Sequence, residues 1–252
     1  MPPPARLFAP DRAEIIDLDS WFSHAPPEGL GAQWKDGYSA KEQAKAWLRA
    51  GAPTVPDELW SAIVKLAPGE VDEVYGRPEH RTKLDNYGRD RQHDMFACAR
   101  RNGTTVLVVG IEAKACECFD GIVADRAQFG PPSNKRARCN LLARALFGRE
   151  VLDEATGDIL DERLSRHGYQ LWTAAIGTII EAQQRGVDEA ALVVQQFVPP
   201  ISMSPSRLGT RGTGHRRMRP TTKPSMPSPV ISNHPALLLT RPTSSRLGPS
   251  ST

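Results

Sequence analysis

The sequence predicts an α/β domain built on a mixed β-sheet with a central hairpin and flanking helices, and three stretches predict it. Residues 92–100 and the stretch from Val106 to Asp120, which begins as a buried strand of four β-formers, are separated by Arg101-Asn102-Gly103-Thr104, a hairpin signature. Residues 166–185 form a long helical pattern, Tyr-Gln-Leu-Trp-Thr-Ala-Ala-Ile-Gly-Thr-Ile-Ile-Glu-Ala, apolar on two faces, as a helix packed on a sheet must be. Ala190 to Val198 then reads as a closing strand.

Composition divides the 252 residues into three parts. Residues 1–33 are rich in Pro and Gly, with one apolar patch at Ile15, Ile16, Leu18, Trp21 and Phe22, and predict a poorly structured segment with one docking turn. Residues 34–200 carry the α/β domain. Residues 201–252 hold eight of the 32 basic side chains and none of the 29 acidic ones, so the body is near −5 and the tail near +8. With eight prolines and almost no apolar periodicity, that tail predicts disorder, either as a phosphate-binding extension or as an out-of-frame sequence.

Within the body, Ser39-Ala40-Lys41-Glu42 reads as a capping box opening a helix with Ala44, Trp47 and Leu48 on its apolar side, stopped by Gly51 and Pro53. A second helix is predicted over 57–66, burying Leu59, Trp60, Ile63 and Val64. Glu70, Asp72, Glu73 and Glu79 read as a solvated acidic face; the other reading is that one of them joins a metal site, and nothing in the sequence picks which. Arg81, Lys83, Arg89 and Arg91 fit either a phosphate contact or a solvated loop. A helix capped by Ser133 or Asn134 runs to Phe147 and ends at Gly148, with Leu141, Leu142, Leu146 and Phe147 as its apolar side and Lys135, Arg136, Arg138 and Arg144 around it. Residues 149–164 are acidic and turn-like.

The hairpin carries the chemistry. Glu112 and Lys114 sit two apart in an apolar strand and therefore share a face. Charges there need partners or a metal. A plain two-residue turn at Asn102-Gly103 would set Asp94 opposite Ile111, on the wrong face. A three-residue loop or a bulge, pairing Arg101 with Thr105, sets Asp94 across from Glu112, and this irregular hairpin is the one predicted. His93 would point to the opposite face of a regular strand and reads as a satisfied structural histidine.

An acid, a hairpin and then Glu-x-Lys resembles the core motif of the PD-(D/E)XK nuclease superfamily, the restriction-endonuclease-like fold. The chain is further similar to a prokaryotic and phage group within it, through Trp34-Lys35-Asp36-Gly37-Tyr38-Ser39-Ala40, Gln92-His93-Asp94, Glu112-Ala113-Lys114-Ala115-Cys116-Glu117 and Tyr169-Gln170-Leu171. A Glu-x-Lys arises by chance on the order of once in a chain of this length, so order and placement carry the resemblance. It implies a restriction-endonuclease-like core hydrolysing phosphodiesters, in DNA first of all. Asp94 and Glu112 would hold Mg²⁺ (or Mn²⁺), with Lys114 as the third catalytic residue. Gln92, Glu117, Tyr169 and Gln170 would be auxiliary. The alternatives are a catalytically silent nucleic-acid-binding or scaffold domain, in which Lys114 only pairs with the acids, and a phage or mobile-element accessory protein without nuclease activity.

Cys116-Glu-Cys118 lacks the spacing of a zinc knuckle. There is no signal-peptide pattern and no run of membrane-spanning length, so a cytoplasmic protein with reduced thiols and no membrane partner is expected.

Overall fold

The computed structural model describes residues 2–49, 51–115, 119, 121–131, 133–198, 230–233 and 237–240. Six strands, β1 (Ala5–Phe8), β2 (Glu14–Ile15), β3 (Glu73–Thr82), β4 (Arg91–Arg101), β5 (Thr104–Ala115) and β6 (Glu189–Val198), lie in the order β2-β1-β3-β4-β5-β6. β1 with β3 and β5 with β6 are parallel, whereas β3-β4-β5 is an antiparallel meander, so the sheet is mixed. Helices α1 (Leu18–His24), α2 (Ser39–Trp47) and α3 (Asp57–Leu66) connect β2 to β3. Helices α4 (Lys135–Phe147), α5 (Glu162–Ser165) and α6 (Tyr169–Gln184) form the crossover from β5 to β6.

Two cores follow from strand alternation. Met95, Ala97, Val109, Ile111 and Val193 meet Trp47, Leu59 and Ile63 of α2 and α3 on one face. On the other face, Phe96, Cys98, Val108 and Ala190 pack with Ala182 of α6, beside which Val123, Cys139, Leu142, Trp172 and Ile176 form a second layer. Each fully buried large side chain contributes roughly 1.5–3 kcal/mol. Helix α3 has the predicted bounds, but Val64 is 52% exposed and Leu59 and Ile63 carry its packing. In α2 the capping box is replaced: Ser39 is the first helical residue, and Glu42 accepts from the Gly37 N–H (2.8 Å) and pairs with Lys45. In α4, Gly148 ends the helix in the left-handed conformation (φ 70°), as predicted. Its buried side is Cys139, Asn140, Leu142 and Ala143, because the Asn140 amide binds Val151 and Leu152 and holds the following loop; Leu141 and Phe147 are exposed.

The N-terminal segment corrects the expectation of loose structure. Leu7, Ile15 and Trp21 are at most 2% exposed within the main core, β1 pairs with β3, and Asp17 caps α1 in a capping box with Ser20. The alternation Ala-Arg-Leu-Phe was hidden by the surrounding prolines. Strand β3 is an addition to the sequence reading, in which Glu73 and Glu79 belong to a solvated acidic face; Gly76 and Pro78 interrupt its pattern. The basic tail lies largely outside the described residues, but Val230–Asn233 (β7) and Leu237–Thr240 (β8) run antiparallel to β6, correcting the expectation of disorder for those two segments. They are the tail's apolar stretches, and the outer edge of β6 offers unpaired backbone groups to them.

Helix α6 lies unusually close to the sheet. A Cβ on Gly110 would collide with Thr178 Oγ1, and one on Gly177 would lie 2.7 Å from His93 Nε2. At the far end of α6, Glu181 (5% side-chain exposure) accepts from Thr82 Oγ1 at 2.6 Å and from Arg185, and lies 3.0 Å from His80 Nε2. Burial alone would push its carboxyl up; the contacts with His80, Thr82 and Arg185 outweigh that and hold it down at about 2.

Two outcomes follow from this docking. Gly110→Ala forces α6 away from the sheet and lowers the unfolding free energy by about 2–3 kcal/mol in urea titration. The lowered carboxyl of Glu181 stabilises the fold above the unfolded-state value near 4.5, and that contribution is lost as pH falls from there toward 2. Accordingly Glu181→Gln is less stable than wild type by roughly 2–3 kcal/mol at pH 7, and the gap narrows as pH drops through this window.

Candidate functional site

The hairpin turn is a two-residue one, with Asn102 (φ 50°) and Gly103 (φ 77°) both left-handed and Arg101 paired with Thr104. The predicted pairing of Arg101 with Thr105 is therefore corrected. The predicted change of parity is nevertheless present, because a bulge follows at once: Ala99 pairs with Leu107 but Arg100 with Thr105, leaving Val106 as the extra residue. Asp72 secures the tip by accepting from the Asn102 N–H at 2.6 Å, and Glu73 faces Arg100. From the bulge onward the register runs to Met95 opposite Ile111, and one step further brings Asp94 level with Glu112.

At that step the sheet breaks. β3 and β4 pair at Pro78–Met95 and again at His80–His93, while Glu79 adopts a left-handed backbone (φ 54°). Met95 belongs to the α2/α3 core, yet His93, two residues before it, packs under Gly177 of α6. Strand alternation has therefore slipped at Asp94. The Asp94 carboxylate uses the gap: its Oδ2 accepts from the Ala113 N–H of β5 at 2.7 Å, a side chain standing in for a ladder carbonyl.

Around this break the predicted residues converge. Glu112 has no exposed surface and accepts from Lys114 Nζ at 2.8 Å, from Arg91 and from the Gln170 amide at the first turn of α6. Gln92 donates to Glu79. Tyr169 lies beneath the Arg126 guanidinium, 4.6 Å from ring centre to Cζ, and burial raises its phenol. Asp94, Glu112, Lys114, Gln92, Tyr169 and Gln170 thus gather at one end of β4, β5 and α6, while Glu117 lies outside the described residues. The sequence reading did not single out Arg91, or Glu79 among its four acids. What distinguishes Glu79 is pairing: it stands opposite Asp94 on a strand whose Gly and Pro concealed it.

The electrostatics reflect crowding of acids away from water. Burial first, and then the charge of Glu112, push the Asp94 carboxyl well above the usual range, against the Ala113 hydrogen bond and the charges of Arg91 and Lys114. Burial, aided by Glu28 and Glu112, pushes Glu79 up to about 7. His93 is held neutral, its ring driven down to about 3 by burial and by Arg91. It corrects the expectation of a satisfied histidine, since neither ring nitrogen has a hydrogen-bond partner among the described residues. A groove of about 850 Å³ opens nearby, walled by Arg81, Arg89, Arg91 and Arg138, by Glu28 and Asp90, and by Gln92, Tyr169 and Gln170; Arg89 is paired with Glu28, Arg91 with Glu112 and Arg138 with Asp85. Arg136, in contrast, is buried on the carbonyls of Ala127, Glu154 and Ala155 and takes no part.

Among the described residues no group of three or more His, Cys, Asp or Glu is gathered to hold a metal ion. The available donors are the oxygens of Asp94 and Glu112. Of the cysteines, Cys98 and Cys139 are buried and unpaired, whereas Cys116 and Cys118 lie outside the described residues. No described helix is long and apolar enough to cross a membrane.

The pairing of acids makes a measurable statement. In Glu112→Gln one of the two forces raising Asp94 is removed, so by carbon-detected NMR its carboxyl titrates at lower pH than in wild type, though still above 3.8 because burial persists. An unchanged midpoint would place the two carboxylates too far apart to act together.

No curated protein and no solved structure matches the chain. A family model does, over residues 14–204, a span that takes in β2 through β6 and every residue of the acid cluster. The chain belongs to that family, described as a domain of unknown function (DUF6946).

Proposed function

We propose that the protein is a metal-dependent phosphodiesterase with a restriction-endonuclease-like core, acting on nucleic acid and on DNA first of all. The observation that supports this reading is the bulged hairpin, which brings Asp94 level with Glu112 and Lys114, whose partners Arg91 and Gln170 line the adjoining groove. The donor set suits Mg²⁺ or Mn²⁺, which bind oxygen and are commonly held by one or two carboxylates, with water and substrate phosphate completing the shell. Asp94 and Glu112 would hold the ion, and it would supply Lewis-acid polarisation of the phosphoryl oxygen and a more acidic water.

The chain's own residues do the rest. Arg81, Arg89 and Arg138 place a phosphodiester along the groove. The Lys114 ammonium, held by Glu112 and only 11% exposed, is positioned to offset the negative charge that develops on the phosphoryl oxygens as water adds and the P–O ester bond breaks. Gln170 and Arg91 fix the Glu112 carboxylate, and Gln92 fixes Glu79 beside it.

One observation favours a second reading. Glu112 already has Arg91, Lys114 and Gln170 upon it, a satisfied buried charge that needs no cation. A catalytically silent nucleic-acid-binding domain would look the same.

Cleavage of supercoiled and single-stranded DNA with and without Mg²⁺ or Mn²⁺, alongside metal calorimetry, separates the two. Asp94→Asn, Glu112→Gln and Lys114→Met are expected to lower cleavage by about 100-fold or more. Asp94→Asn keeps its melting temperature, since the amide oxygen can still accept from the Ala113 N–H. DNA retention without metal-dependent cleavage in wild type would establish the silent domain instead.

A further inference from the structure

Glu112 divides its two oxygens between different partners. Oε1 accepts from Lys114 Nζ at 2.8 Å and from the Gln170 amide, whereas Oε2 accepts, among the described residues, from Arg91 alone. Asp94 is divided in the same way: Oδ2 takes the Ala113 N–H at 2.7 Å, and Oδ1 makes no hydrogen bond among the described residues. One oxygen of each carboxylate thus holds that carboxylate in place. The other is occupied by Arg91 in Glu112 and by no protein donor in Asp94.

Of the three donors on Glu112, Arg91 is the one free to leave. Lys114 lies two residues along the same strand, and Gln170 is fixed in the first turn of α6. Arg91 is the first residue of β4, directly after an irregular stretch, and its side chain runs under α6, where a Cβ on Gly177 would lie 3.3 Å from Arg91 Cγ. Its guanidinium is poorly satisfied there, because Nε is buried with no hydrogen-bond partner among the described residues. A donor buried without an acceptor is unfavourable, and turning outward would relieve it. Arg91 already lines the groove of Arg81, Arg89 and Arg138, so an outward position adjoins the present one.

A guanidinium and a divalent cation seek the same oxygen and repel each other at contact distance. Arginine cannot give up its proton to relieve that repulsion, so it has to move. We propose that Arg91 competes with the divalent ion for Glu112 Oε2: an ion bound by Asp94 Oδ1 and Glu112 Oε2 displaces the guanidinium, which turns into the groove and becomes a phosphate contact. Lys114 and Gln170 keep Oε1 in place throughout. Metal and phosphodiester then favour each other's binding, since each draws Arg91 the same way. This competition presupposes the metal-dependent reading above, and assigns to Arg91 the control of when the ion is held.

Calorimetric titration of the full chain with Mn²⁺ at mildly alkaline pH tests the competition in wild type, Arg91→Met and Asp94→Asn. NMR of the Arg91 Nε–H, assigned by through-bond correlation, follows wild type as Mg²⁺ is added. Arg91→Met is expected to bind Mn²⁺ more tightly than wild type by about tenfold or more, and Asp94→Asn to lose the isotherm. Without metal Arg91→Met melts below wild type, and Mn²⁺ raises its melting temperature by more. In wild type the Arg91 Nε–H signal shifts as Mg²⁺ saturates the protein, a result that requires no variant to fold. Equal Mn²⁺ affinity in wild type and Arg91→Met, or an Arg91 signal unmoved at saturating Mg²⁺, overturns the competition and leaves the metal site standing. Mn²⁺ binding to neither wild type nor Arg91→Met overturns both.

Discussion

Glu112 is a carboxylate with no contact with water, and the organisation of this end of the molecule follows from that constraint. Leaving such a charge unmatched costs several kcal/mol, so its partners must be in place whenever the protein is folded. They come from three elements: Arg91 from the start of β4, Lys114 from β5 itself and Gln170 from α6. The long crossover through α4 and α5 therefore has to return α6 with its first turn above β5. The small residues Gly110 and Gly177 make that approach possible by letting the helix sit against the sheet where any side chain would collide.

Asp94 answers a different requirement. An acid on a regular β4 would either join the ladder or face one of the two cores. By slipping the alternation between His93 and Met95, the chain frees the Asp94 carboxylate to replace a backbone acceptor for Ala113 while standing level with Glu112. The slip has a partner in Glu79, whose left-handed backbone lies on the adjoining strand. A non-glycine residue in that conformation carries a strain of order 1 kcal/mol, a cost found where the surroundings over-determine the geometry. Two irregularities, the bulge at Val106 and the break at Glu79 and Asp94, act in series: the first corrects the parity and the second opens the ladder.

The elements with the clearest periodicity were legible in the sequence: the hairpin, α3, α4, α6 and β6. So was the convergence of Asp94 with Glu112 and Lys114, because parity is a counting argument that turn chemistry constrains. Position along the chain was less legible than parity, since a bulge can absorb one residue at the turn or two residues beyond it with the same result. Strand β3 was missed because Gly76 and Pro78 are breakers in most settings, tolerated here where a bulky neighbour needs room: a Cβ on Gly76 would run into Leu7 and Met95. Strand β1 was missed because four residues offer too short a window for alternation to show. Arg91 could not be singled out from Arg81, Lys83 and Arg89, since only the tertiary fold decides which of four cations meets a buried acid.

The same logic explains how an acidic body can present basic surfaces. The acids are spent largely in structure: Asp72 and Glu73 on the hairpin, Asp17 and Asp161 on helix caps, Glu42 on the loop before α2, and Glu181 on a three-donor cluster. Arginines on the α6 side of the sheet lie at both ends of the helix, most of them in pairs: Arg89 with Glu28, Arg91 with Glu112, Arg138 with Asp85 and Arg185 with Glu181, while Arg12, Arg77 and Arg81 have no acid at ion-pair distance among the described residues. Net charge therefore says little about what this face binds, because charge consumed in capping and pairing has a short reach beyond its partner, whereas a guanidinium in a concave wall is focused outward. The helix that fixes Gln170 on Glu112 at its first turn carries Arg185 at its other end, and the closeness of its packing sets the geometry of both surfaces.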